Sequence, residues 1–191
     1  MQVKVVFEGK SDKGVDIIIR YPIKDDAKTM YEYINTLSTE RTFIRFQGEQ
    51  VSLEHETKFL NSQLERIAKE ESVQLHVLSG NKIIGISEID MKDKVERHVG
   101  VLGISIAKEY RGQGIGSLLM KLVIEEAIKN IPQLRIITLG VFSNNSLAKD
   151  MYKKFGFVEY GNLPSGVKLG DKYVGHIYMY KKLIREKTFK S

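Results

Sequence analysis

The chain has 191 residues, a length suited to one domain of roughly 100–200 residues. Its 42% apolar and 28% charged content is that of a soluble globular protein and excludes disordered and collagen-like chains. Thirty Lys and Arg against 24 Asp and Glu give a net charge of +6, but the basic residues are spread without a run of five. Local phosphate sites are therefore expected, and specific nucleic-acid binding is not. Cysteine is absent, which excludes disulfides, thiolate zinc sites and a cysteine nucleophile. His55, His76, His98 and His176 lie far apart without metal-ligand spacing, so no metal is expected. Residues 1–8 show no leader pattern and no transmembrane run occurs, so a cytoplasmic protein without a membrane partner is expected.

In chain order, residues 2–8 alternate in polarity, residues 9–14 carry turn chemistry, and residues 15–20 return as a second strand that Pro22 ends. Residues 25–37 form a helix with a stripe of Ala27, Met30, Tyr31, Ile34 and Leu37. After a polar stretch at 38–50, Ser52 opens a second helix that runs to residue 69, with Glu54 and Glu56 in its first turn. Residues 73–78 and Lys82–Met91 are strands joined by a turn at 79–81, and residues 97–107 form a buried central strand. Ile115–Asn130 is a strongly apolar helix, residues 135–142 a strand and residues 145–155 a short helix. Strands at 157–160 and 173–183, with a loop at 161–172 between them, close the chain. Helices alternate with strands and hairpins, which predicts an α/β or α+β fold around one mixed sheet.

The segment with the most chemistry is Arg111-Gly112-Gln113-Gly114-Ile115-Gly116, set between a buried strand and a long helix. Glycine lets successive N–H groups converge on one point, and a helix N-terminus adds free donors, a combination that suits phosphate. The glycines match neither the dinucleotide fingerprint GxGxxG nor the P-loop, which requires a lysine followed by serine or threonine. Arg-x-x-Gly-x-Gly resembles the acetyl-coenzyme A binding motif of the GNAT superfamily of N-acetyltransferases. Downstream, Asn145, Ala148, Tyr152, Gly156 and Phe157 meet every fixed position of the family pattern Asn-x-x-Ala-x-x-x-Tyr-x-x-x-Gly-Phe. The strand at 82–85 is also similar to the family's third strand.

The resemblance implies a single domain over 1–191, with a hairpin extension at 1–14 and the family core at 15–184. Its fold would be a central mixed, mostly antiparallel twisted sheet, splayed between the family's fourth and fifth strands and flanked by about four helices. It further implies acetyl-CoA as cosubstrate, no metal, and direct attack by a primary amine in a ternary complex. The backbone of Ile104, Ser105 and Ile106 would hold the pantetheine arm. The amides of Gly112, Gln113, Gly114, Ile115, Gly116 and Ser117 would hold the pyrophosphate, with Arg111 supporting the loop or the phosphates. Asn145 either contacts the cofactor or caps its helix. Tyr152 is the candidate acid for the leaving thiolate, and the Ile106 N–H the candidate oxyanion donor.

A general base is expected because the amine must be neutral to attack. Residues 97–107 contain neither Asp nor Glu, so the candidates are Glu88 and His98, each of which reads equally as a plain strand residue. The acceptor cleft would be flanked by residues 36–50 and 161–172, with Tyr31, Tyr160 and Tyr173 as candidate lining. The resemblance implies an acceptor that is a small amine or amino acid, or the α-amine of a protein. It leaves a homodimer open, and a coenzyme-binding sensor or interaction module without turnover is the alternative.

Overall fold

A computed structural model describes residues 3–183. Eight strands form one sheet in the order β1-β2-β3-β4-β5-β6-β8-β7. The first two, β1 (Val5–Lys10) and β2 (Asp16–Arg20), are an antiparallel hairpin. Its turn is closed by Ser11, whose N–H donates to Val15 O at 2.8 Å and whose Oγ accepts from Val15 N–H at 3.2 Å. Gly9 and Lys10, expected in the turn, are strand residues; residues 1, 2 and 184 lie outside the described residues.

After Pro22 a 3-10 turn at Lys24–Asp26 leads into α1 (Ala27–Thr39), and α2 (Leu53–Ala68) follows. Ser52 caps α2 as its side chain predicts, its Oγ accepting from His55 N–H at 3.1 Å. Strands β3 (Ser72–Ser79), β4 (Lys82–Met91) and β5 (Val99–Ile106) are consecutive antiparallel neighbours. The long helix α3 (Ile115–Asn130) then crosses over to β6 (Ile136–Phe142), which lies parallel to β5. Last come α4 (Ser146–Lys154), β7 (Val158–Leu169) and β8 (Lys172–Lys182). The expected loop at 161–172 is thus mostly strand. Pairing with β8 carries β7 through it, with irregular register at two places to absorb the polar, glycine-containing sequence.

The two faces of the sheet differ. Val73, Leu75, Val77, Ile89 and Leu102 pack beneath Leu119, Met120 and Val123 of α3 in a largely aliphatic core. Burial of each such side chain stabilises by roughly 1.5–3 kcal/mol. On the other face a smaller cluster joins Met30, Tyr33 and Leu37 of α1 to Leu60 of α2 and Ile83 of β4. The buried stripe of α1 therefore runs through Tyr33, not Tyr31.

That second face also holds a buried ionic knot. Asp26 accepts from Arg20 Nη1 and Nη2 at 2.7 and 2.6 Å and from Ile23 N–H at 3.0 Å, and it lies 3.1 Å from His76 Nδ1. Burial opposes the charge of Asp26, but the Arg20 bonds, His76 and the Ile23 amide together hold its carboxyl far below the usual range. Burial lowers the pKa of His76 despite Asp26, so its imidazole is neutral at pH 7. Both groups bind protons more readily unfolded than folded, so both contributions to stability are lost as pH falls. That of His76 fades from below about 6.5 and that of Asp26 from below about 3.9. Asp26→Asn strands a buried guanidinium and is expected to cost about 3–5 kcal/mol in urea denaturation at pH 7.

Candidate functional site

Parallel pairing between β5 and β6 ends after Val101 opposite Thr138. Residues 102–106 and 139–142 continue without a shared ladder, while β4 stays paired to β5 and β8 to β6. The sheet is therefore open along its middle. Ala107 N–H donates back to Ile84 O at 2.9 Å, and strand alternation turns the Ile106 N–H the other way, into the gap. Arg111 Nε donates to Ile106 O at 2.8 Å and its Nη2 pairs with Glu40, whose Oε1 also accepts from Lys108 N–H at 3.1 Å. Arg111 is thus a bolt between α1 and the end of β5.

The glycine turn follows at once. Gly112 and Gly114 have φ of +67° and +75°, a conformation that side chains strain to adopt, and Gly114 is the N-cap of α3 with no side chain closing the helix end. The amides of the first turn are free donors in a positive helix field, a cradle that suits a pyrophosphate. The first hairpin backs this loop: Asp12 N–H donates to Gln113 O at 3.1 Å, and Ser11 Oγ donates to Gln113 Oε1 at 3.2 Å. A Cβ on Gly114 would stand 2.2 Å from an Asp12 carboxylate oxygen. Ile104 and Ile106 pack toward α3, so at these positions the backbone is what faces the gap.

Across the gap α4 opens at Asn145, whose Oδ1 accepts from Ala148 N–H at 3.2 Å as an N-cap. It carries Tyr152, which is 7% exposed, 6.1 Å from the Phe157 ring, with burial raising its hydroxyl to about 12. The group is a proton donor at neutral pH.

On the opposite face Ser105 Oγ and Tyr33 OH are 2.9 Å apart. Beside them Glu88 of β4 pairs with Gly103 of β5, and its carboxylate lies where a Cβ would be, 2.1 Å from Oε1. The acid missing from residues 97–107 thus reaches over β5 from the next strand, through space that only glycine leaves. Burial, and to a lesser degree Asp90, raises Glu88 to about 7, the range in which a carboxylate exchanges protons near neutral pH. His98 is exposed before the first residue of β5, about 25 Å from Ile106 at some 3.3 Å per residue. The structure does not bring it to the others.

Two adjoining clefts of about 410 and 510 Å³ lie between residues 40–47 and the β7–β8 hairpin, sharing Leu169. Arg41, Lys108 and Arg111 line the first, and Arg45, Lys168 and His176 the second. Among the candidate tyrosines, Tyr160 meets Tyr178 at a tilt and Tyr180 edge-on, Tyr173 sits near Lys168 at the hairpin end, and neither lines either cleft. Tyr31 is half-buried outside both clefts. Tyr33 was missed in the sequence because Tyr31 satisfied the apolar stripe first; the spacing Met30, Tyr33, Leu37 is the signal that identifies it.

A model of the acetyltransferase (GNAT) family matches residues 31–157. The L-amino acid N-acetyltransferase AaaT of Escherichia coli (strain K12) is 31% identical over 117 residues, 60% of this chain and 72% of that protein. A GNAT acetyltransferase structure from Streptococcus pneumoniae is 30% identical at a TM-score of 0.80, covering 87% of this chain and 99% of that one. Two more distant structures share the fold. Ribosomal-protein-alanine N-acetyltransferase from Brucella melitensis has 22% identity and a TM-score of 0.74, over 86% and 99% of the two chains. The yncA protein of Salmonella typhimurium, solved with its cofactor acetyl-CoA, has 15% identity and a TM-score of 0.76, over 89% and 95%. With a splayed mixed sheet, a glycine cradle on a helix N-terminus and a family match over most of its length, the chain belongs to the acetyltransferase (GNAT) family.

Proposed function

We propose that the enzyme acetylates the α-amine of a free amino acid, with Glu88 as the general base. The observation that carries this reading is the placement of Glu88, desolvated and seated over Gly103 beside the splay. Acetyl-CoA supplies the thioester acyl group. The amides of residues 112–117 hold its pyrophosphate, and the backbone of Ile104, Ser105 and Ile106 aligns its pantetheine arm in the gap. Glu88 accepts the ammonium proton, directly or through a water, and leaves a neutral amine. The Ile106 N–H stabilises the charge that develops on the carbonyl oxygen, and Tyr152 donates a proton or a hydrogen bond to the departing sulfur. Arg111 is a positioning residue, because it holds the Ile106 carbonyl and Glu40. Asn145 positions Tyr152 through the cap of α4. His98 has no part in this scheme.

Arg41, Lys108, Arg45 and Lys168 at the clefts support an acceptor that carries a carboxylate next to its amine, as does the likeness to an L-amino acid N-acetyltransferase. The likeness to a ribosomal-protein-alanine N-acetyltransferase favours a second reading, a protein that presents an amino-terminal residue to the same cleft.

Glu88→Gln is expected to lower kcat by roughly 10²–10⁴. In the wild type kcat/KM should rise with pH through about 7, because the base works only when deprotonated; that limb should vanish in the variant. An unchanged rate would exclude Glu88. Tyr152→Phe is expected to slow turnover about tenfold or more with acetyl-CoA affinity intact. Gly114→Ala should do the reverse, because backbone strain of about 1–3 kcal/mol in the cradle weakens coenzyme binding about tenfold. Calorimetry beside steady-state kinetics separates the two. Mass spectrometry of a mixture of free amino acids, polyamines and peptides with varied first residues should show acetyl on free α-amino acids. Acetyl on peptide α-amines alone would select the second reading.

A further inference from the structure

The glycine that admits Glu88 has a counterpart across the splay. Gly103 on β5 and Gly140 on β6 each stand two residues past the last paired rung, Val101 opposite Thr138, so they lie level with each other. Both face away from the α3 core, because Leu102, Ile104, Leu139 and Val141 beside them point into it. A Cβ on Gly140 would lie 2.3 Å from His176 Nε2, with the two ring carbons beside that nitrogen at 3.0 and 3.3 Å. His176 of β8 therefore leans over β6 toward the slot, nitrogen first, as Glu88 of β4 leans over β5.

The imidazole is held in place but its nitrogens are free. Its ring lies 4.5 Å from that of Tyr178 at a 39° tilt and 6.1 Å from that of Phe142, edge-on. Neither ring nitrogen has a hydrogen-bond partner among the described residues. Burial lowers its pKa from the usual value, so at pH 7 the ring is neutral and carries one N–H. It lines the cleft of about 510 Å³ together with Arg45 and Lys168, and no Asp or Glu among the described residues lines that cleft. An oriented donor, two cations and no carboxylate suit an anionic group.

We propose that His176 selects α-amino acids over plain amines: its N–H binds the acceptor's carboxylate at the β6 lip of the splay, while Glu88 takes the amine at the β5 lip. The inference rests on the reading of Glu88 and of the free amino acid given above, and adds the residue that recognises the acceptor's second charged group. Two charge-assisted hydrogen bonds of about 2.8 Å, with an amino acid between them, span more than the roughly 4.8 Å that separates paired strands. The splay supplies that extra width. Arg45 and Lys168 add positive charge for the second carboxylate oxygen. Tyr178 and Phe142 fix the ring without taking its N–H, so the donor is oriented before the acceptor arrives. The first residue of a peptide has an amide in place of this carboxylate, so the same contact works against peptides.

The full-length protein is assayed with acetyl-CoA and three sets of acceptors. These are the common free amino acids, the amines that lack their carboxylates (3-methylbutylamine for leucine, tyramine for tyrosine), and an alanine-initiated tripeptide. The wild type is expected to prefer each amino acid it acetylates to the matched amine. His176→Phe keeps a ring against Tyr178 and Phe142 but has no N–H. It is expected to lower kcat/KM for the amino acids about 10–100-fold, mostly through KM, with the matched amines changed less than about threefold. KM for acetyl-CoA should hold, and His176→Gln, which restores an N–H, should recover most of the preference. A folded His176→Phe that keeps the wild-type preference, or that slows amines and amino acids alike, overturns the assignment. Should His176→Phe not fold, His176→Ala faces the same test. Failure of the acceptor reading is distinct and takes the assignment with it: the wild type itself would then acetylate only the tripeptide, or show no preference for amino acids over amines.

Discussion

Two neighbouring parallel strands that part company leave backbone donors and acceptors without a ladder, and buried groups of that kind must find partners. In this protein β5 and β6 separate after Val101 and Thr138, and the rest of the molecule is organised around keeping them apart. Each strand retains its outer neighbour, β4 for one and β8 for the other, so the gap costs neither strand its place in the sheet. Thr138 Oγ1 donates to Gly100 O at 3.2 Å at the last paired rung, and Arg111 takes the Ile106 carbonyl at the far end. What remains is a slot lined by backbone, with an N–H aimed into it and a glycine cradle at its mouth. Such a slot fits an extended, amide-bearing chain that ends in phosphates.

The division of labour between the faces follows from their chemistry. The α3 face is mostly aliphatic, with the buried Ser87 hydroxyl donating to Gly103 O, and supplies the bulk of the packing. The α1 and α2 face buries Arg20, Asp26, His76 and Gln74, which contribute far less to stability per residue than aliphatic side chains do. Desolvation on this face also raises the Glu88 carboxyl to about 7, the range that the proposed base needs. A solvated carboxylate near 4.3 would be too weak to deprotonate an ammonium.

The hairpin of β1 and β2 braces the glycine turn in a similar way. Its turn touches Gln113 by two hydrogen bonds and crowds Gly114, so the cradle is set by a contact between segments about a hundred residues apart as well as by its own glycines. Arg111 does similar work from the other side. Its Nε and Nη2 bond Ile106 O and Glu40, which rigidifies the loop.

Local chemistry was legible in the sequence, because a few neighbouring residues decide it. Ser52 capped α2, Asn145 capped α4, Gly112 and Gly114 took left-handed conformations, and the spacing of Asn145, Ala148, Tyr152 and Gly156 carried the family resemblance. Residues 73–78 and 82–91 read as strands, and only tertiary packing showed that α2 covers their polar face. Long-range contacts also decided the strand through 161–169, which needs β8 beside it, and the choice of Tyr33 over Tyr31, which depends on how α1 is rolled on the sheet. Glu88 is the sharpest case. As a letter in a strand it is an ordinary surface carboxylate, and its carboxyl rises to about 7 only because Gly103 makes room and the fold draws it out of water.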